Sequence, residues 1–255
     1  MGIYIEARIR AGLGLLWERT QDPAEHCRWD LRFTEIRPLP RLLSEPARFR
    51  YATRVAPFVR VTGTGVSAGE RRRPDGTRTS ALRFASSHPL SLIAEGRGYW
   101  RYIPASGGVR FLTGYDYRPR WGRAGRLADR FAFRPLMGWA TAWSFDRLRL
   151  WCERGISPES ALRRALAEAA VRAAAAAAAL AAAPPPAAAA VCAAALLLPP
   201  LPATPAARRC LRRPPERTAP APPALLGLLE RAADTPAQAP SARRRPPFRT
   251  GRTRP

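Results

Sequence analysis

The sequence predicts an α+β fold in which a curved antiparallel sheet wraps around one long C-terminal helix, followed by an alanine- and proline-rich extension. Between residues 49 and 117, apolar and charged residues alternate with period two in short runs separated by turn signals, the pattern of a strand meander. From about residue 125 to 153 the period becomes helical, and the segment is rich in aromatic residues. Composition then changes at Gly155: residues 1–155 hold 21 of the 22 aromatic residues and 16 of the 18 glycines, whereas residues 156–255 hold 18 of the 28 prolines.

Ile3, Ile5, Ala7 and Ile9 share one parity, and Tyr4, Glu6, Arg8 and Arg10 the other, so the chain opens with a strand that has one buried face. Leu13, Leu16 and Trp17 then recur at helical spacing. Asp22-Pro23 supplies an N-cap and first-turn proline for a second helix, expected to reach about Phe33. Strand alternation returns with Phe49, Tyr51, Thr53 and Val55 against Arg50 and Arg54, and with Val59 and Val61 around Arg60. It continues with Leu82 and Phe84 after the turn Pro74-Asp75-Gly76, then with Leu92, Ala94, Gly96, Gly98, Trp100 and Tyr102. After Ser106-Gly107-Gly108, the residues Val109, Phe111, Thr113, Tyr115 and Tyr117 complete the meander. Pro135 is expected to split or kink the long helix, because proline has no amide donor, and Gly155 to end it.

A sheet of about six strands curls, and a long helix laid into its concave face encloses an apolar space. This order resembles the START-like, birch-pollen-allergen-like, polyketide cyclase (SRPBCC) superfamily with its helix-grip fold. The resemblance rests on Trp17-Glu18-Arg19-Thr20-Gln21-Asp22-Pro23, on Arg28-Trp29-Asp30-Leu31-Arg32-Phe33, and on residues 131–151, including Arg134-Pro135-Leu136-Met137-Gly138-Trp139-Ala140-Thr141-Ala142-Trp143. It covers roughly residues 1–160 and is of the actinobacterial type that continues into a DoxX-like membrane region. The resemblance implies a domain that binds or transports a hydrophobic small molecule, lipid or polyketide-like. An alternative it implies is a cyclase- or dehydratase-like enzyme acting on an aromatic or polyketide substrate.

Behind the domain (1–155), residues 156–205 read as an Ala/Pro-rich helical segment and residues 206–255 as an Arg/Pro-rich disordered tail with too little apolar surface to offset ordering. Ser157-Pro158-Glu159 starts a helix expected to reach about Ala183. Residues 173–198 carry no charge, and that length matches a bilayer core, but Pro184-Pro185-Pro186 cuts the stretch into pieces too short to span. Phe248 is the only aromatic residue after Trp151, so the DoxX-like pattern of Leu, Phe, Trp and Tyr is lost. The C-terminal part therefore reads as a degenerate or frame-shifted membrane region, membrane-associated through residues 173–198.

The net charge of +24 comes from 43 arginines without a single lysine or asparagine, as a GC-rich coding sequence produces. It gives an attraction to phosphate polymers and anionic membranes, and an Arg-rich nucleic-acid- or membrane-surface-associating protein is the second alternative. No stacking register or helix-turn-helix supports sequence-specific nucleic-acid reading. The N-terminus begins with strand-like alternation and not with a signal-type apolar run, and the first domain is expected in the cytoplasm.

Cys27, Cys152, Cys192 and Cys210 are widely spaced, and His26 and His88 are the only histidines, so no metal site or disulfide framework is expected and no cofactor is implied. The candidate ligand cavity lies between the inner sheet face and the long helix, lined by Tyr51, Phe84, Trp100, Phe111, Tyr115, Trp139 and Trp143. His26 and Cys27 are helix neighbours pointing apart, Glu95 and Asp116 have outward parity, and Asp30 has no identified partner, so no catalytic set emerges. Gly63-Thr64-Gly65-Val66-Ser67-Ala68-Gly69 lacks the lysine and spacing of a phosphate loop and reads as a softened strand or bulge.

Overall fold

The computed structural model describes residues 2–40, 45–215 and 222–225. Strands β1 (Ile3–Ile9), β2 (Glu35–Pro38), β3 (Arg48–Ala56), β4 (Val59–Arg72), β5 (Arg78–Ala85), β6 (Ile93–Ala105) and β7 (Gly108–Pro119) form one seven-stranded antiparallel sheet in the order β1-β7-β6-β5-β4-β3-β2. The meander of β2 to β7 follows chain order, and β1 returns to pair with β7, with Ile5 opposite Thr113 and Ile9 opposite Val109. Helices α1 (Leu13–Gln21) and α2 (Pro23–Trp29) connect the two edge strands.

Asp22 separates these helices by capping the second, its carboxylate accepting from the Ala24 amide at 2.7 Å. The second helix ends at Trp29, short of the expected Phe33, because Asp30 turns to extended backbone and takes the Arg32 amide on its side chain at 3.0 Å. The long helix is likewise divided as Pro135 predicts. A short helix α3 (Gly122–Ala128) passes through one wide turn (Asp129–Phe133) into α4 (Arg134–Arg154), whose first turn holds Pro135 where no donor is needed. Gly155, at φ 64°, ends α4.

Helix α4 lies on the inner face of the sheet at the β1/β7 side. Phe145 stacks on Phe111 with centroids 4.5 Å apart, and Leu16, Trp29, Tyr102 and Leu148 close around them without solvent exposure. Each such large side chain contributes roughly 1.5–3 kcal/mol by leaving water. The curved sheet gripping one long helix is the α+β helix-grip architecture expected.

Two expectations are corrected. Strand β1 is buried on both faces as far as Ala7: Tyr4 and Glu6 on the second face are buried, whereas Arg8 is exposed. The cover is the second correction, because residues 206–215, expected within the disordered tail, are ordered. Leu211 exchanges two backbone hydrogen bonds of 2.9 Å with Glu6, closing the open edge of β1. Asp146, fully buried on α4, fixes this strap by accepting from the Ala206 amide at 2.8 Å and Arg209 Nη1 at 2.9 Å. Apolar content missed this segment because only small apolar residues, Ala206, Ala207 and Cys210, are buried there and a buried carboxylate fixes them. Leu225 is buried with Tyr4, Ala81, Tyr99 and Leu112 on the outer sheet face. The expected tail from 226 to 255 lies outside the described residues.

Helices α5 (Pro158–Ala182) and α6 (Pro185–Leu197) form an antiparallel hairpin beyond Gly155, close to the sequence expectation for the first of them. Most of its apolar surface is exposed, including Leu166, Val171, Leu180 and Leu196.

Candidate functional site

The concave face is not covered evenly. Under α4, Phe111, Phe145, Tyr102 and Trp29 fill the space. Toward β3, β4 and β5 the cover is thinner, and Phe49, Leu82, Phe84 and Trp100 are only partly buried. The pairing register sets the relief of this floor. Tyr51 is opposite Gly63, Phe49 opposite Gly65, and Phe84 opposite Gly96. A side chain at Gly65 would place its first carbon 2.1 Å from the Phe49 ring, and one at Gly96 2.4 Å from Phe84, so each ring lies flat over a glycine. The result is a shallow cradle with an aromatic floor. The glycine-rich run read as a softened strand is the middle of β4, with a bulge between Ser67 and Gly69.

A polar node sits at the inner end of the cradle. Asp30, whose side chain has no solvent exposure, accepts from Arg32 Nε at 2.9 Å and Arg32 Nη2 at 2.6 Å, and pairs with His26 Nε2 at 3.1 Å. Burial alone would raise the Asp30 pKa. The Arg32 charge and the His26 and Arg32 hydrogen bonds outweigh it and hold the carboxyl well below its usual range. The Arg32 guanidinium packs over Tyr115 and Phe33, with its carbon 5.4 and 5.5 Å from their centroids. Tyr115 Oη is 2.9 Å from Thr141 Oγ1 on α4, tying the node to the long helix. His26 stacks on Trp29 at 5.0 Å and meets Trp100 edge-on at 4.8 Å. The node thus offers one ion pair, one imidazole and one phenol among aromatic walls. Chemically, such a set can pair with the polar end of a small molecule or pass a proton.

The seven residues expected to line the cavity separate into two sets. Tyr51, Phe84, Trp100, Phe111 and Tyr115 all lie on the inner sheet face. Tyr51 is buried, its phenol pushed up to about 12 by burial, and it meets Phe33 edge-on at 5.7 Å. Phe111 fills the core rather than lining open space, being locked against Phe145. Trp139 and Trp143 are corrections. Thr141 and Phe145 occupy the α4 face toward the sheet, so residues two positions away turn to its far side. Trp139 is 44 % exposed there and stacks on Trp143 at 6.4 Å beside a cleft bounded by the α5–α6 hairpin.

Sequence reasoning missed Asp30, Arg32 and His26 as a set. The available signal was the four-residue spacing of His26 and Asp30 across the end of α2, with Arg32 two residues on and aromatic residues between. His88 sits in a turn, its Nδ1 accepting from the Leu90 amide at 3.3 Å, as expected of a turn residue. Glu95 and Asp116 point outward as their parity requires. Arg101 shares that parity but is buried, packed on the Tyr99 ring at 5.1 Å, so the outer face is not uniformly solvated. Among the described residues no group of three or more His, Cys, Asp or Glu side chains is placed to hold a metal ion.

No family model matches the chain. A Bacillus subtilis (strain 168) protein described as uncharacterized membrane protein YndG is 47 % identical over 165 residues, covering 64 % of this chain and 62 % of that protein. The match therefore spans less than two thirds of the relative's length. A STAR-related lipid transfer protein from Xanthomonas axonopodis is similar in structure at 17 % identity and a TM-score of 0.43, over 56 % of this chain and 81 % of that one. The Zhui aromatase/cyclase from Streptomyces sp. R1128 is similar at 14 % identity and a TM-score of 0.39, over 58 % and 95 %.

Proposed function

We propose that residues 1–155 bind or carry a hydrophobic small molecule, lipid or polyketide-like, in the cradle of the sheet. The domain is placed on the cytoplasmic side of a membrane with which the chain associates through residues 173–198. One observation supports the ligand reading: over β3, β4 and β5 the inner face is only partly covered, its rings packed over glycines, with a buried Asp30–Arg32 pair at its inner end. Such a surface matches a flat or extended apolar molecule with one polar end. The actinobacterial SRPBCC proteins with a DoxX-like region remain the family this chain resembles, its C-terminal part being a degenerate or frame-shifted form of theirs.

Native mass spectrometry of the full chain purified from a bacterial host, followed by solvent extraction, tests this. A stoichiometric apolar passenger, or a rise in melting temperature with long-chain carboxylates, supports the reading. An empty chain that no apolar compound stabilises overturns it. The polar node favours a second reading, a cyclase- or dehydratase-like enzyme in which His26 or Tyr115 moves a proton beside Arg32. Turnover of an aromatic polyketide analogue that Tyr115→Phe or His26→Gln abolishes, with the melting temperature retained, would establish it, and binding without turnover leaves the carrier.

A further inference from the structure

The apolar hairpin behind the domain has features that membrane association alone does not require. Arg172 on α5 donates to Glu168 and to three backbone carbonyls, Ala195 and Leu198 through Nη1 at 2.9 and 2.8 Å and Pro199 through Nη2 at 2.8 Å. It therefore sits at the level where α6 ends. From that level to the tip, α5 contributes residues 173–182 and α6 residues 185–195. Each arm is about 15 Å long at about 1.5 Å per residue, half of a hydrocarbon core about 30 Å thick.

The tip is built without free donors. The Ala183 amide donates to Ala179 at 2.9 Å, Pro184, Pro185 and Pro186 have no N–H, and the amides of Ala187 and Ala188 both donate to Pro184 at 3.0 Å. An orphan N–H in lipid costs several kcal/mol, and this turn presents none; the carbonyls of Leu180, Ala181 and Ala182, whose helical partners are Pro184, Pro185 and Pro186, receive no backbone donor among the described residues. The base has the opposite character. Trp139, Arg172, Arg208 and Arg212 line one cleft of about 440 Å³ with Leu196, Leu197 and Leu198, and Arg208, Arg212 and Arg213 are exposed. Indole and guanidinium groups beside an uncharged stretch are the composition of a membrane interface facing anionic headgroups.

We propose that the α5–α6 hairpin is a re-entrant wedge: residues 173–198 enter one leaflet of an anionic bilayer to its middle and return to the same side, with Arg172, Arg208, Arg212 and Trp139 at headgroup level. This rests on the membrane association proposed above and specifies its geometry. A full span by α5 would instead carry the Arg172–Glu168 pair into the hydrocarbon and leave α6 too short to return.

The test uses the full chain with vesicles of phosphatidylcholine and phosphatidylglycerol. Expected are co-flotation with these vesicles and slowed amide exchange over 173–198 on binding. With the four native cysteines replaced by serine, an environment-sensitive label at Ala183→Cys should be quenched by lipids carrying quencher near the chain ends. A second label at Leu201→Cys should react with impermeant reagent from the outside. Arg208→Gln with Arg212→Gln should lower partitioning about 30-fold, from roughly fivefold per basic residue. If the chain with four serines does not fold, the buried Cys210 is retained and both labels are read in that background. Flotation with Leu201→Cys reachable only from the vesicle interior overturns the wedge and keeps the association. No flotation, or a soluble dimer that protects 173–198 without lipid, overturns both.

Discussion

Replacing Asp30 by asparagine keeps the shape of the node and removes its negative charge. Arg32, with only 11 % of its side chain exposed, would then keep a buried positive charge without a counter-ion. At 2.6 Å and an effective dielectric constant of about 20, the gross attraction lost is about 6 kcal/mol. Asparagine still accepts a hydrogen bond, so the expected net loss is the about 3–5 kcal/mol typical of breaking a buried pair from one side. The pH dependence follows from the sign of the shift. The Asp30 pKa is lower in the fold than in the unfolded chain, so its stabilisation is complete above the usual carboxylate range and is lost as pH falls through and below it. The gap between parent and variant should therefore narrow by about 1 kcal/mol between pH 7 and pH 3. Urea unfolding followed by tryptophan fluorescence at both pH values measures it. Asp30→Leu combined with Arg32→Met should recover much of the loss, because two apolar groups leave no orphan charge. A loss below about 1 kcal/mol at pH 7, or a gap that does not change with pH, would refute the assignment of the pair as the internal tie of the site.

Phe111→Ala, at a fully buried ring stacked on Phe145, should cost about 3–5 kcal/mol in the same unfolding experiment. Trp139→Ala, at an indole 44 % exposed, should cost less than about 1 kcal/mol. Asp146→Ala removes the acceptor for the Ala206 amide and for Arg209, so trypsin should cut at Arg208 and Arg209 faster while the core fluorescence is unchanged. Gly96→Val would drive its side chain into the Phe84 ring and lift that ring off the floor, and should weaken capture of a long-chain carboxylate about tenfold or more, read by isothermal titration.

Strand alternation, the turn residues and the helical period of residues 125–153 were legible because each is a local consequence of one buried face. Asp22 and Gly155 announced their own caps for the same reason. The polar node was legible only as a spacing of His26, Asp30 and Arg32, which does not show that Asp30 leaves the helix and holds Arg32 and His26 on one buried carboxylate. The strap at Leu211 was hidden for a related reason: its anchor, Asp146, lies 60 residues before the Ala206 amide it accepts from. Trp139 and Trp143, expected in the cavity lining, stand two residues from Thr141 and Phe145 and so fall on the far side of α4, which carries aromatic residues on two faces.

Those two faces give α4 its role. Thr141 and Phe145 meet Tyr115 and Phe111 on the sheet, so the sheet-facing side bounds the polar node and seals the filled part of the concave face. Trp143 on the far side packs beneath the Arg147 guanidinium at 5.6 Å, and Arg147 Nε donates to the Pro158 carbonyl at 2.8 Å, where α5 begins. Asp146 holds the strap that returns to the edge of β1. One helix thus contacts the cradle, the root of the hairpin and the strap at the sheet edge. Were the cradle to deliver a passenger to a bilayer, as proposed above, those parts would have to be held in fixed relation. Arg147→Met removes the Pro158 tie while retaining the packing of the stem on Trp143. It should leave passenger affinity within about twofold but slow transfer of a fluorescent fatty acid to phosphatidylglycerol vesicles about tenfold, the ratio expected for loss of orientation worth about 1.4 kcal/mol. Equal effects on affinity and transfer would mean that α4 only stabilises the fold and relays nothing between cradle and membrane.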